Sequence, residues 1–233
     1  MLIMKSLQES LLDNDDVLFD RMDKTMQIEQ WMKTDGDHFE IRDYKINSDC
    51  TIDCETINIR NNGSFEEFPY YINFNKVQYV TITGVQNFKS GRGLPKKCKK
   101  LVIAESYQLK TLDLPTEDIE ELVIFDCPIL TTINTNIKSN HIDFLRIWNC
   151  PRLENLKNII NNVKQANIVD LSSLPRVLSM KGLPDKINQL NLSHCRNITS
   201  IEGCPKHIKE IYPSYGINSN FLEKLKKINN IKD

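Results

Sequence analysis

The chain has 233 residues, enough for one elongated domain or a core with a small extra element, and 40% of them are apolar. Thirty basic and 31 acidic side chains leave a net charge of −1, so no global field draws it to nucleic acid or to an anionic membrane. No apolar run approaches the roughly 18 residues that cross a bilayer. The start, MLIMKSLQESLLDNDD, lacks the apolar core and small-residue cleavage site of a secretory signal. A reducing, cytoplasmic setting is expected. Seven cysteines, an odd number, argue against a disulfide framework in such a chain. Cys50 and Cys54 form a C-x3-C with no second pair at finger spacing, so neither a metal nor a cofactor is expected.

Residues 1–35 read as a helical N-terminal segment. Ser6 and Glu9 have capping-box spacing, and Leu7, Leu11 and Leu12 follow on one side of a short helix that DNDD at 13–16 ends. Met22, Met26, Ile28, Trp31 and Met32 predict a second helix, Met-rich, packed on the chain or on a partner. HFEIRDYKINSDCTIDCETINI then alternates like strands, with Phe39, Ile41, Tyr44, Ile46 and Ile52 as first, irregular rungs of a sheet.

From residue 57 the chain repeats itself. Apolar triplets begin at anchors Ile57, Val80, Leu101, Leu122, Leu145, Ala166 and Leu190, with steps of 23, 21, 21, 23, 21 and 24 and a degenerate eighth at Ile211. Three residues before the anchors stand Cys54, Val77, Cys98, Ile119, Ile142, Val163, Ile187 and Ile208. Five after stand Asn62, Val85, Ser106, Cys127, Cys150, Leu171 and Cys195. Apolar columns recur eight after, from Phe65 to Ile198, and eleven after, from Phe68 to Ile201, where Gly91 alone breaks the pattern. Leu-Pro precedes several anchors, at 94–95, 114–115 and 183–184.

One repeat cannot bury its apolar face alone, whereas stacked repeats bury it together. Each triplet is therefore a short strand whose first and third residues point inward, with strands of successive repeats parallel and about 4.8 Å apart. The return segment leaves room for one helical or 3₁₀ turn, as in PTEDIEEL at 115–122. At the end, NSNFLEKLKKINNIKD reads as a helix capped by Asn218 or Ser219, with Phe221, Leu225 and Ile228 on one face and lysines suiting its C-terminal dipole.

The pattern L-x-x-L-x-L-x-x-(N/C/S)-x-x-L-x-x-L with a preceding Leu-Pro resembles the leucine-rich repeat, and its repeat of 21 to 24 residues is most like short bacterial and viral members. MKSLQESLLDNDDVL and YKINSDCTIDCETINI resemble the leaders of phage-encoded and gut-bacterial proteins of that kind, where glycine is more usual at the positions of Cys50 and Cys54. The resemblance covers about residues 54–216 and implies one short parallel strand per repeat with irregular convex turns; with the irregular first rungs and the two helical ends, the expectation is an α/β solenoid over 36–216, a helical N-terminal segment at 1–35 and a capping helix at 217–233. It also implies a ladder in which Asn62, Ser106, Cys127, Cys150 and Cys195 bond the backbone of the adjacent repeat, and a ligand face on the concave side of the strands.

On that face, the column one after the anchor reads Asn58, Thr81, Val102, Val123, Arg146, Asn167, Asn191. The column three after reads Arg60, Thr83, Ala104, Phe125, Trp148, Val169, Ser193. Phe125 and Trp148 thus neighbour one another, with Val102, Val123 and Val169 around them and Arg146 beside them. Such an aromatic and arginine patch has the composition of an interface hot spot. The column four after, Glu105, Asp126, Asn149, Asp170 and His194, reads as an acidic rim, or simply a solvated edge. No histidine pairs with Ser or Cys at a motif spacing, and SGRGLPKK at 90–97 is not a phosphate-binding loop. The sequence therefore predicts a non-enzymatic module that binds a protein partner. The alternative is a structural component or spacer of a larger assembly, a phage particle for instance, held through the N-terminal segment.

Overall fold

The computed structural model describes residues 24–30, 39–42, 44–47, 49, 51–69, 71–160, 162–212 and 215–231. Its frame is a nine-stranded sheet in the order β1 (Phe39–Arg42), β4 (Thr56–Arg60), β6 (Tyr79–Thr83), β7 (Lys100–Ala104), β9 (Glu121–Phe125), β11 (His141–Trp148), β12 (Gln165–Asp170), β13 (Lys186–Asn191) and β14 (His207–Ile211). β1 lies antiparallel to β4 and the rest run parallel, one per turn of a solenoid of about eight turns. The expected repeat solenoid is therefore present, and Phe39 and Ile41 do start its sheet.

Three features depart from expectation. First, the turns carry more strand than one per repeat. β2 (Lys45–Ile46), β3 (Thr51–Asp53) and β5 (Asn73–Asn75) form a second sheet, and β8 (Thr111–Leu114) pairs in parallel with β10 (Thr132–Thr135) on the return side. Second, 115–122 makes no helical turn. Asp118 bridges in parallel to Lys97 instead, which satisfies backbone groups across rungs. The α/β expectation thus yields to a fold of strands and turns. Third, residues 24–30 are helical, but Ile28 is its core contact at 1% exposure while Met26 is 65% exposed. The helix expected around Leu7, and Met22, Trp31, Met32 and Cys50, lie outside the described residues.

The inward columns explain the stability of the stack. Ile57, Val80, Leu101, Leu122 and Leu145, and Ile59, Ile82, Ile103, Ile124 and Ile147 two residues on, are all fully buried. Burying each such side chain is worth about 1.5–3 kcal/mol. Gly91 fits this packing: a Cβ there would lie 2.5 Å from the Asp113 carbonyl oxygen, so the rungs close only over glycine. At the C-terminal end the helix Ser219–Ile228 covers the last rung. Asn218 caps it, accepting from Phe221 N–H at 3.0 Å, and Phe221 and Leu225 are buried, whereas Ile228 is exposed. Asn229 accepts the Ile208 N–H at 2.7 Å, tying the helix to β14. No helix among the described residues is long and apolar enough to cross a membrane, which says nothing of strands.

One repeat is shifted from its expected register. Leu145 pairs with Val169, and Ala166 pairs with Ile142. The anchor of that rung is Val169, not Ala166, so the last steps are 24, 21 and 21. Inward columns lie three residues apart, at Ile142 and Leu145, so a slip of three lays one apolar column on another. The sequence offers two matching triplets, Ala166-Asn167-Ile168 and Val169-Asp170-Leu171, and packing chooses the second.

Candidate functional site

Phe125 ends β9 and Trp148 ends β11, and the two are register partners. Their column points outward because Ile124 and Ile147, just before it in the strands, point in. Rung spacing of about 4.8 Å suits ring stacking, and the centroids lie 4.3 Å apart with planes within 2°. Both rings are half-buried. On the far side of Phe125 its register partner is Ala104, 0% exposed in spite of its outward position. On the far side of Trp148 the next rung carries Ser172, whose carbonyl accepts the Asn149 N–H at 3.2 Å.

Two columns toward the strand start, Val102 and Val123 are register partners and half-buried. Arg146 continues that row, between Val123 and Asp170. Its guanidinium carbon lies 5.0 Å from the Phe144 ring centroid, a cation–π contact. Its Nε is buried with no hydrogen-bond partner, and Arg146 joins no ion pair among the described residues. Phe125, Trp148, Arg146, Val102 and Val123 are thus brought together. Val169 is not: it is fully buried, and the register shift places it in the core and puts Asp170 and Ser172 on the outer face instead. Phe144 and Ile168, half-buried register partners one residue before their anchors, extend the apolar surface. Ile168 was hidden by the slipped register. Phe144 was visible as an aromatic beside the anchor but outside the two columns considered.

The expected acidic rim has another origin. Asn61, Gly84, Glu105, Asp126, Asn149, Ser173 and His194 form one column in the observed register, and all have left-handed backbone, with φ between 48° and 66°. Asn, Asp, His and Gly tolerate that conformation best, so a backbone turn selects the residue types here. Gly84 could not carry a side chain beside Asn61: a Cβ would collide with Asn61 Oδ1. Asp170 belongs to the outer sheet face, not to this column. Asn149 Nδ2 donates to Asp126 Oδ1 along the column.

The cysteine ladder works both within and between repeats. Cys127 Sγ donates to the Phe125 carbonyl at 3.4 Å and Cys150 Sγ to the Trp148 carbonyl at 3.5 Å, two residues back. Ser106 does the same to Ala104, and Asn62 Oδ1 accepts the Ser64 and Phe65 N–H groups. Across rungs, Cys195 reaches the Leu171 carbonyl at 2.5 Å, and Cys127 bonds both the Cys150 thiol and the Ser106 backbone. Cys54, Cys98, Cys127, Cys150, Cys195 and Cys204 are free thiols. Burial pushes Cys54 and Cys98 up to about 12. The Cys127 sulfur beside it, and then burial, hold Cys150 protonated far above the usual thiol range. These thiols fasten the strand ends that carry the aromatic pair.

Ser139, His141 and Asp143 come together but not as a nucleophile with its base. His141 Nε2 meets Asp143 Oδ1 at 2.9 Å, while Ser139 Oγ donates to the His141 main-chain carbonyl, away from the ring. No group of three or more His, Cys, Asp or Glu among the described residues is arranged to hold a metal ion. Grooves of about 390 and 530 Å³ lie around Cys98 and around Asp113 and Asn134, and neither includes the aromatic pair. The pair sits on an open face, a shape that suits a macromolecule better than a small molecule. No family model, curated protein or solved structure matches the chain.

Proposed function

We propose that the chain is a leucine-rich repeat module that binds a protein partner without catalysis, through Phe125, Trp148, Arg146, Val102 and Val123 on the outer face of its main sheet, the face such solenoids hold concave. The observation that carries this reading is the stacked Phe125–Trp148 pair beside an arginine with no ion-pair partner among the described residues. Aromatic and arginine side chains grouped at one place are what binding hot spots are made of. A cytoplasmic setting would keep the Cys127 and Cys150 thiols reduced beneath the pair. The N-terminal segment, expected to be helical, is a separate surface in this reading.

The test compares wild type with Phe125→Ser/Trp148→Ser in affinity capture from the source cell, with circular dichroism to confirm folding. A partner held by wild type and lost by the folded variant supports the reading. A partner held equally by both sinks it and moves the site elsewhere. Capture of no partner by either, together with constitutive oligomers, favours the spacer role instead.

A further inference from the structure

The Phe125–Trp148 stack stops abruptly at one end. Toward the start of the solenoid it runs out over Ala104, which it buries. Toward the end, the next two rungs carry only Ser172 and Ser193 in its column. A serine reaches far less high than an indole, so the ring face turned away from Phe125 looks across a gap one to two rungs wide, roughly 5–10 Å. Asp170 stands beside this gap, one residue after its anchor, and Ser172 is two residues further on. Asp170 Oδ1 accepts from Asn191 Nδ2 at 3.2 Å, and Asp170 joins no ion pair among the described residues. Arg146 is its register partner, yet the guanidinium lies over Phe144 instead. Elsewhere on the same face such pairs do close, as Lys100 and Glu121 do at 2.7 Å. A second carboxylate, Asp126, flanks the stack from the left-handed column.

A flat ring face above a carboxylate selects a flat cation. We propose that this gap is an arginine slot: the guanidinium of an arginine on the protein partner stacks on the free face of Trp148 and donates to the Asp170 carboxylate. Guanidinium is planar and weakly hydrated, stacks on aromatic faces, and forks onto carboxylates, whereas a lysine ammonium satisfies only the charge. The two carboxylates near the gap complement a positive group. The slot rests on the reading of this face as a protein-binding surface, and it adds the chemistry of the partner side chain.

The full chain in a Trp31→Phe background is titrated with N-acetylarginine amide while Trp148 fluorescence is read. The expected result is saturation with Kd on the order of millimolar. The citrulline analogue, equal in shape but uncharged, should give no saturable change, and the lysine analogue should bind several-fold more weakly. Asp170→Asn should weaken binding at least tenfold, and Ser172→Leu, which fills the gap from its floor, should abolish it. No saturation by about 50 mM, an equal response to citrulline, or unchanged affinity in both variants would each overturn the slot. The two readings fail separately. If the Phe125→Ser/Trp148→Ser variant loses its captured partner while wild type ignores arginine, the face binds by other chemistry. If arginine saturates the slot while the captured partner ignores the double variant's changes, the protein-surface reading fails and the slot remains.

Discussion

Two neighbouring stretches of the solenoid treat their charges differently. In the stretch from β6 to β9, Lys97 meets Asp118 at 3.6 Å and Lys99 meets Glu120 at 4.0 Å in the turns that lead into the strands, and Lys100 meets Glu121 at 2.7 Å where the strands begin. Each lysine stands one rung from its acid in the same column, so the repeat itself provides the partner. In the stretch from β9 to β12, at and after the anchors, Arg146 and Asp170 share a column without pairing, and Phe125 and Trp148 stack next to them. A face that satisfies itself rung by rung has little left for a ligand. A face that leaves charge and aromatic surface beside one another is where a partner gains most.

The core beneath joins the two stretches, and disturbing it should produce the largest effect. Leu122 is fully buried in the rung they share. Leu122→Ala should cost about 2–5 kcal/mol in chemical denaturation, with amide protection falling in both stretches, because each rung depends on its neighbours. Protection lost in one stretch alone would show that they are separate units.

Alkaline pH comes next. Cys98 lies under the ion-paired stretch, and burial raises its thiol from the ordinary 9.0 to about 12. The folded state therefore holds a proton that the unfolded chain releases, so the stabilisation is complete below pH 9 and is lost as pH climbs toward 12. Urea unfolding over that range should show falling stability, and Cys98→Val should flatten the slope. An unchanged slope would place the alkaline loss on other groups.

The aromatic pair should contribute more to binding than to folding. Trp148→Ser removes a stack worth about 0.5–1.5 kcal/mol, so thermal unfolding should move by a few degrees at most while partner capture is lost. A larger drop in stability would make the pair a structural element and erase the contrast between the stretches. The smallest effect belongs to the exposed ladder. Glu121→Gln should change stability by about 0–1 kcal/mol, vanish in high salt and leave partner capture intact. Weakened capture would extend the binding surface into the self-paired stretch.

Much of this was legible in the residues. The repeat, the eight-turn stack, the C-terminal helix and the adjacency of Phe125 and Trp148 all follow from apolar periodicity, while the choice of Asn218 over Ser219 as that helix's cap came from the structure. Where reading failed, two interpretations fitted the same letters. Asp126 and Asn149 looked like a charged rim, because residues favoured by left-handed backbone are also polar. Cys127 and Cys150 do meet across rungs as the ladder column implied, but each also turns to a carbonyl two residues back, which the chain does not show.

By itself, then, the sequence determined that the chain coils into stacked rungs and which rungs bring two aromatic residues side by side. A period of 21 to 24 residues repeated this often has no other way to bury its leucines and isoleucines. Only the tertiary structure decided that Val169 is an anchor and that Asp170 and Ser172 face outward beyond Trp148. Inward columns three residues apart make two registers equally apolar in one strand, and the neighbouring rungs, by pairing with it, select one.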